Sequence, residues 1–493
     1  MQRYGKLLIE ICVSLKDANA EVEERVVAIR NHWKRISMQV DYVRRIWKAL
    51  DDELQAIQSQ TLQVLSRKLS DTYAKLDRIY KKKSGQIVGV RRWKYALYKQ
   101  CLDRAIEDLI LWQDRYNPSW FLMLRISNPV IDKELGGRGL EPSLLPVAKS
   151  LRDLQRNEPS NRSSVFLPKD GLDFAQRHAI RFSTTELIKR SKSEKWVVVD
   201  HIQCNQRCDL TLTTKNMREL ATMLSATNPM SFCILKCRGV IRNIEPSSGK
   251  PSSFDFIFDV PKELSGKPET LRSYICSCIQ PTLNERFLLA YQLAKSVSYV
   301  HTLGFVHKNI RPETFLGWST GTQSFASVFL VGFEKLRSAD GRTIKMGDSS
   351  WERNIYRHPQ RQGLHPEEIY VMQHDIYSLG VCLLEIGIWQ SFLLYNDADD
   401  PKASESLQSA FDRTSNNPFM LKNFLVALAQ EKLPRQMGKR YTEVAVNCLT
   451  CMDEDNTDFG DKAQFEDDDG ILVGARYIAK VSAFKSWLPR ERH

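Results

Sequence analysis

The chain has 493 residues, 42% hydrophobic and 26% charged, with a formal net charge of +12. That is the make-up of a soluble globular chain of two to four domains, and no run approaches the ~18 apolar residues that would span a bilayer. Leu7 to Leu15 is broken by Glu10 and lacks a small-residue cleavage site, so a signal peptide is rejected.

The charge is uneven. Residues 1–140 hold 26 Lys and Arg against 17 Asp and Glu, so +9 of the excess lies there. A basic helical face can meet an anionic membrane or nucleic acid, or simply be solvated. No nucleic-acid-binding motif accompanies it, and nucleic acid is not expected as a partner.

No proline precedes Pro118, and no glycine lies between Gly5 and Gly85, which permits long helix. Val22, Val26, Ile29, Trp33, Ile36, Val40, Val43, Trp47, Leu50, Leu54, Ile57, Thr61 and Val64 alternate spacings of four and three. This 3.5-residue repeat makes a seam for other helices, ~65 Å long if unbroken. Lys81 to Gly85 reads as a turn. A second helix is expected from Arg92 to Arg115, with Leu97, Cys101, Ala105, Leu109 and Trp112 on one face. Several neighbouring amphipathic helices favour a bundle over a passive dimerising coiled coil.

Gly136 to Gly139 ends this region, and Leu144, Leu145, Ala148, Leu151 and Leu154 mark one more helical stripe. Short strands follow: Trp196–Val199, Phe232–Leu235 and Phe254–Phe258, with a helix at 218–224 between the first two. Later, Thr282 and Glu285 form a capping box and Gly304 follows the helix end. Of the eleven cysteines, Cys204/Cys208, Cys233/Cys237 and Cys448/Cys451 have ligand-like spacing. Four residues along a strand span ~13 Å, too far for one zinc, and Cys448 and Cys451 fit a core-facing helix. Reduced thiols in a cytosolic chain are the simpler reading, with no metal expected. The acidic run 453–469, nine acids and Lys462, lacks the glycine of a calcium loop and reads as solvated.

The informative segment runs from Tyr299 through His307-Lys308-Asn309-Ile310-Arg311-Pro312-Glu313-Thr314. It resembles the catalytic loop of protein kinases, His-Arg-Asp-x-x-x-x-Asn, with the helix before it. His307 stands at the His; Lys308 replaces the Arg, Asn309 the catalytic Asp, and Thr314 the metal-binding Asn. Gly332-Phe333-Glu334 resembles Asp-Phe-Gly, with the metal-binding Asp replaced by Gly332. Tyr356-Arg357-His358-Pro359-Gln360 resembles the Ala-Pro-Glu end of the activation segment. His374-Asp375 through Gly380-Val381 resembles the central helix of the lower lobe, whose Asp375 would hold the backbone of the catalytic loop. No Gly-x-Gly-x-x-Gly occurs between 160 and 200, and Asp200 in Val197-Val198-Val199-Asp200 stands where the phosphate-binding Lys would. Glu219 is the candidate for the glutamate that Lys would meet.

The helical periodicity and this resemblance together imply a multidomain chain: an N-terminal all-α helical bundle over 1–135, a linker with a brace-like helix over 136–165, and a two-lobed α+β protein-kinase-like fold, N-lobe 166–260 and C-lobe 261–493. His307, Phe333, Asp375 and Gly380 would serve the fold. Phosphoryl transfer needs positioning and charge neutralisation by Mg²⁺ and a lysine. Asn309 is no general base, Gly332 and Thr314 give Mg²⁺ no anionic anchor, and Asp200 would repel phosphates. The implied domain is a pseudokinase with no catalytic residue and no cofactor, or with ATP bound without metal. The alternatives are an atypical active kinase using a carboxylate such as Glu334, and an oligomeric scaffold.

Val-His-Lys-Asn-Ile-Arg-Pro-Glu-Thr, Tyr-Arg-His-Pro and His-Asp-Ile-Tyr-Ser-Leu-Gly-Val resemble a group of filamentous-fungal kinase-like proteins. Tyr4 to Ile57 and Arg91-Arg92-Trp93-Lys94-Tyr95 are similar to HeLo-type bundles of fungal incompatibility proteins; the apolar segment often found ahead of this point is expected to be short or absent. The plan also resembles the mixed-lineage kinase domain-like family. That likeness implies a cytoplasmic protein, peripheral at a membrane when active, whose pseudokinase restrains the bundle until release lets basic helices engage an anionic membrane. The partner protein is unspecified, and a homo-oligomer is compatible with the plan.

Overall fold

The computed structural model divides into two compact units, Met1–Arg152 and Asp153–His493. It describes residues 20–50, 52–77, 80–83, 86–90, 101–106, 108, 109 and 130, and 165–459 apart from 192, 205–209, 226, 247–249, 265, 303–304, 320–324, 334–336, 339–349, 364–369, 397–399, 415–416 and 457–458.

In the first unit, helix α1 spans Ala20–Ile46 and α2 spans Asp52–Asp77. The expected seam buries Val26, Ile29, Trp33, Ile36, Val40 and Val43. The single long helix is corrected: the chain tightens into a 3-10 turn at Trp47–Ala49 and Leu50 turns extended. Gln55 donates its side-chain amide to the carbonyls of Trp47 (3.2 Å) and Leu50 (2.8 Å), satisfying groups that the break leaves open. Beyond it, among the described side chains, Gln58, Leu65 and Leu69 are buried, while Val64 of the expected seam is 40% exposed. Residues 101–106 are helical with Leu102 and Ala105 buried, as is Leu109. Asp103 pairs with Arg25 of α1 at 2.6 Å, and Asp108 pairs with Lys68 of α2. The expected turn is flanked by an antiparallel pair, β1 (Tyr80–Lys83) and β2 (Gln86–Val90), with Lys83 opposite Gln86, so the three lysines lie on a strand. Leu97, Trp112 and the stripe from Leu144 to Leu154 lie outside the described residues, as does Cys208.

The second unit begins with a six-stranded sheet: β3 (Phe166–Leu167), β4 (Leu172–Ala179), β5 (Thr185–Arg190), β6 (Trp196–Gln203), β7 (Lys236–Ile244) and β8 (Pro251–Asp259). Its spatial order is β3-β7-β8-β6-β5-β4, antiparallel except for β3 on β7. Central β6 reads Val-Val-Val because both faces are covered. Val197 and Val199 join Leu172, Ile188, Ile241 and Ile257 in one apolar cluster. Val198 and Asp200 point to the opposite face, opposite Phe258 and Phe256 of β8. Helix α3 (Leu210–Ser225) packs on β7. The strand expected at Phe232–Leu235 is corrected. Pro229–Phe232 is a short helix, α4, and Cys233 follows at φ 57°, so the strand starts at Lys236. Pro229 opens that helix because its fixed φ suits the first helical position.

A helical lower part follows. Strand β9 (Glu269–Thr270) leads into α5 (Leu271–Ile275), and α6 spans Leu283–Thr302. The α6 capping box forms: Thr282 N–H donates to Glu285 Oε2 (2.6 Å), and Glu285 N–H donates to Thr282 Oγ1 (3.3 Å). Then come β10 (Phe305–Val306), β11 (Phe315–Ser319), β12 (Phe325–Leu330), β13 (Arg337–Ser338) and α7 (Trp351–Asn354). The buried helix α8 (Met372–Ile388) is followed by β14 (Leu393–Tyr395), β15 (Pro401–Ala403), α9 (Glu405–Thr414), α10 (Pro418–Gln436) and α11 (Lys439–Leu449). Helix α8 packs against α6, α10 and α11. A Cβ on Gly380 would lie 2.9 Å from Cys448 Cβ and 3.0 Å from the Leu449 nitrogen, so this glycine lets α8 and α11 approach closely. Cys448 and Cys451 are both buried. Of the acidic run, Asp453 pairs with buried Lys422 rather than facing solvent freely. Among the described residues no helix is long and apolar enough to cross a membrane.

Candidate functional site

The loop from His307 to Thr314 is held from below by Asp375, fully buried near the start of α8. Its Oδ2 accepts the backbone N–H of His307 (2.6 Å) and lies 3.0 Å from His301 Nε2. Its Oδ1 accepts the N–H of Lys308 (2.9 Å) and the Tyr370 hydroxyl (2.7 Å). These bonds hold Lys308 at φ 65°, an unfavourable region for a residue with a side chain. Burial opposes the charge on Asp375, but the bonds from His301 and Tyr370 hold its carboxyl below the ordinary range. His307 is itself buried and places Nε2 3.1 Å from the Val331 carbonyl oxygen, with its ring 4.9 Å from that of Phe333. Burial pushes its pKa down to about 4, so the ring is neutral and donates to that carbonyl.

Three residues of this layer, Asn309, Gly332 and Thr314, pack and bond with one another. Asn309 Nδ2 donates to the Gly332 carbonyl at 3.3 Å, and its Oδ1 accepts from Arg311 Nε at 3.0 Å. Thr314 Oγ1 lies 3.0 Å from the Asn309 carbonyl and 2.9 Å from that of Arg311. Gly332 adopts φ 81°, and a Cβ there would stand 2.6 Å from Thr314 Cγ2. The methyl that Thr has and Asn lacks therefore fills the space over Gly332.

Asp200 closes this layer from above. It is fully buried on β6, and its Oδ2 accepts two consecutive backbone N–H groups, those of Gly332 and Phe333, each at 2.9 Å. The Phe333 ring lies 6.0 Å from that of Phe258, on the same face of the sheet. Asp200, Asn309, Thr314 and Gly332 are thus brought into one hydrogen-bonded cluster. Glu219 takes no part: its carboxylate is 3.9 Å from Lys215, one turn back on α3. Glu334 lies outside the described residues. Among the described residues no group of three or more His, Cys, Asp or Glu side chains is placed to hold a metal ion.

A second buried cluster escaped the motif reading. Arg272 on α5 donates Nε to Glu313 (2.9 Å) and Nη1 to Glu385 (2.6 Å) and Ser391 (2.6 Å), and pairs through Nη2 with the Tyr356 hydroxyl. Tyr356 donates to Glu385 Oε2 (2.8 Å), and Tyr395 to Glu313 Oε1 (2.9 Å). Burial opposes all three charges. Arg272 and Arg311 nevertheless hold Glu313 down at about 2, whereas burial pushes Glu385 up. The sequence signal was one acid, Glu385, inside the apolar run of α8.

No family model matches the chain. It is 28% identical over 134 residues, 26% of its length, to the dual specificity protein kinase lkh1 of Schizosaccharomyces pombe, and 32% identical over 110 residues, 22% of its length, to a serine/threonine-protein kinase-like protein of Arabidopsis thaliana. These matches span only 19% and 28% of those relatives. With the kinase-like upper sheet and lower helices, this distant, partial similarity makes the second unit a protein-kinase-like domain.

Proposed function

We propose that the protein-kinase-like domain is a pseudokinase, a regulatory or signalling switch on the basic helical region 1–135, and that release of those helices lets them engage an anionic membrane in fungal incompatibility or cell-death signalling. Gly332 carries the reading. A carboxylate there would need a Cβ 2.6 Å from Thr314 Cγ2, on a backbone at φ 81°. Asn309 and Thr314 offer Mg²⁺ no anionic anchor either. The Asp200 carboxylate stands where phosphates would need a cation. The residues present therefore do not fit a magnesium–nucleotide complex, and no transfer step is derived through one.

The membrane half of the reading rests on the excess of 26 basic over 17 acidic residues in 1–140 and on the attraction of such helices to anionic lipid. Full-length protein is expected to give no metal-dependent melting shift with Mg-ATP and no transfer of label from radioactive nucleotide. It is expected to gain affinity for phosphatidylserine vesicles as salt falls. Label transfer would remove the pseudokinase half; absence of vesicle binding at low salt would remove the membrane half.

A further inference from the structure

Two consecutive backbone N–H groups converge on one point when the residue between them is left-handed, and such a concavity binds anions. Gly332, at φ 81°, and Phe333 form one here, and both N–H groups end on Asp200 Oδ2 at 2.9 Å. We infer that this amide pair is a latent oxyanion site for phosphate, and that Asp200 is its built-in anion, a plug supplied by the chain itself.

The surroundings fit this assignment. A buried carboxylate is tolerated only where strong donors replace water, and Asp200 is fully buried. A lysine at position 200 could not serve these amides, since an ammonium group only donates. The Asp at position 200 and the Gly at position 332 therefore act as one structural unit. Glycine gives the backbone the turn that aims both N–H groups upward, and aspartate accepts them. The contact also ties the upper sheet to the lower layer. From Gly332 and Val331 the bonds continue to Asn309 (3.3 Å) and His307 (3.1 Å), and from the His307 N–H to Asp375 (2.6 Å). With Asp200 in place, both N–H groups are already occupied.

The inference rests on the pseudokinase reading, and the test separates the two. Full-length wild type, Asp200→Ala and Asp200→Asn are compared in EDTA, with inorganic phosphate or pyrophosphate against chloride at equal ionic strength. Wild type should not respond. D200A should gain saturable phosphate affinity, with a melting midpoint rising by about 2–4 °C at tenfold saturation. D200N should stay insensitive, because its amide oxygen still accepts both N–H groups. If D200A does not fold alone, phosphate-specific recovery of soluble, cooperatively melting protein supports the plug, and no recovery overturns it. An equal response in wild type, a folded D200A without a response, or equal responses in D200N and D200A also overturns it. Label transfer by wild type from Mg-ATP defeats the underlying reading instead, whatever D200A does.

Discussion

Replacing Gly332 by Ala probes how tightly this layer is packed against Thr314. Two penalties follow from the structure. An L-residue at φ 81° costs about 1–2 kcal/mol. A Cβ 2.6 Å from Thr314 Cγ2 overpacks the layer, for about 1–3 kcal/mol more. Gly332→Ala should therefore lose about 2–5 kcal/mol. Thr314→Ser removes the opposing methyl but keeps the hydroxyl that bonds the carbonyls of Asn309 and Arg311; alone it should lose about 1 kcal/mol. In the T314S background most of the steric part of the G332A loss should fall away, with residue 314 Cβ still 3.1 Å off, giving a favourable coupling of about 1–2 kcal/mol. The φ part should remain. Urea unfolding of the full-length protein, followed by tryptophan fluorescence, to which the fully buried Trp318 contributes, measures all four corners of the cycle. Losses that add to within about 0.5 kcal/mol would refute the steric account.

Arg272→Met leaves Glu313 and Glu385 buried without their shared cation and should cost about 3–5 kcal/mol in urea unfolding; an unchanged midpoint would show the charges to be solvated. Acid should destabilise the domain through three buried imidazoles. Burial lowers His307 to about 4 and His358 and His374 to about 3, all below the ~6.5 of an unfolded histidine. Their contribution is full above ~6.5 and is lost as pH falls through that value, by about 2 kcal/mol each at pH 5, as the unfolded chain takes up the protons. Stability measured from pH 7.5 to 5 should fall steeply, and a flat profile would mean that these rings titrate normally. Gly380→Ala pushes a methyl against the Leu449 backbone and Cys448, and should cost about 1–3 kcal/mol by thermal melting, with Gly380→Ser no better.

The lower part of the domain was legible where function-bearing words sit close together in the chain. Tyr299–Thr314 and His374–Val381 are local strings, and both fall on the loop and helix that their wording implied. Elements defined by tertiary balance were not. Phe232–Leu235 is a short apolar run, and such runs do not distinguish a strand from a buried helical turn. The break at Trp47–Ala49 carries no Gly or Pro; Gln55 reaches back across it to the carbonyls of Trp47 and Leu50. In the site, the sequence reading singled out positions 200, 309, 314 and 332 but not their mutual contacts. That Asp200 accepts two amides depends on sheet register and on φ at Gly332. That Arg272 meets Glu313 and Glu385 depends on chain closure over 41 and 113 positions.

The cluster around Arg272 bears on how the lower lobe comes apart. Its hydrogen bonds join residues up to 119 positions apart, on α5, the His307–Thr314 loop, the residues after α7, the end of α8, and the β14 region. An intermediate that assembled some of these segments would strand a guanidinium or a carboxylate in an apolar interior, at a penalty larger than most single contacts return. Partially formed states are thereby disfavoured, and the lobe should melt in one concerted step instead of fraying from its ends.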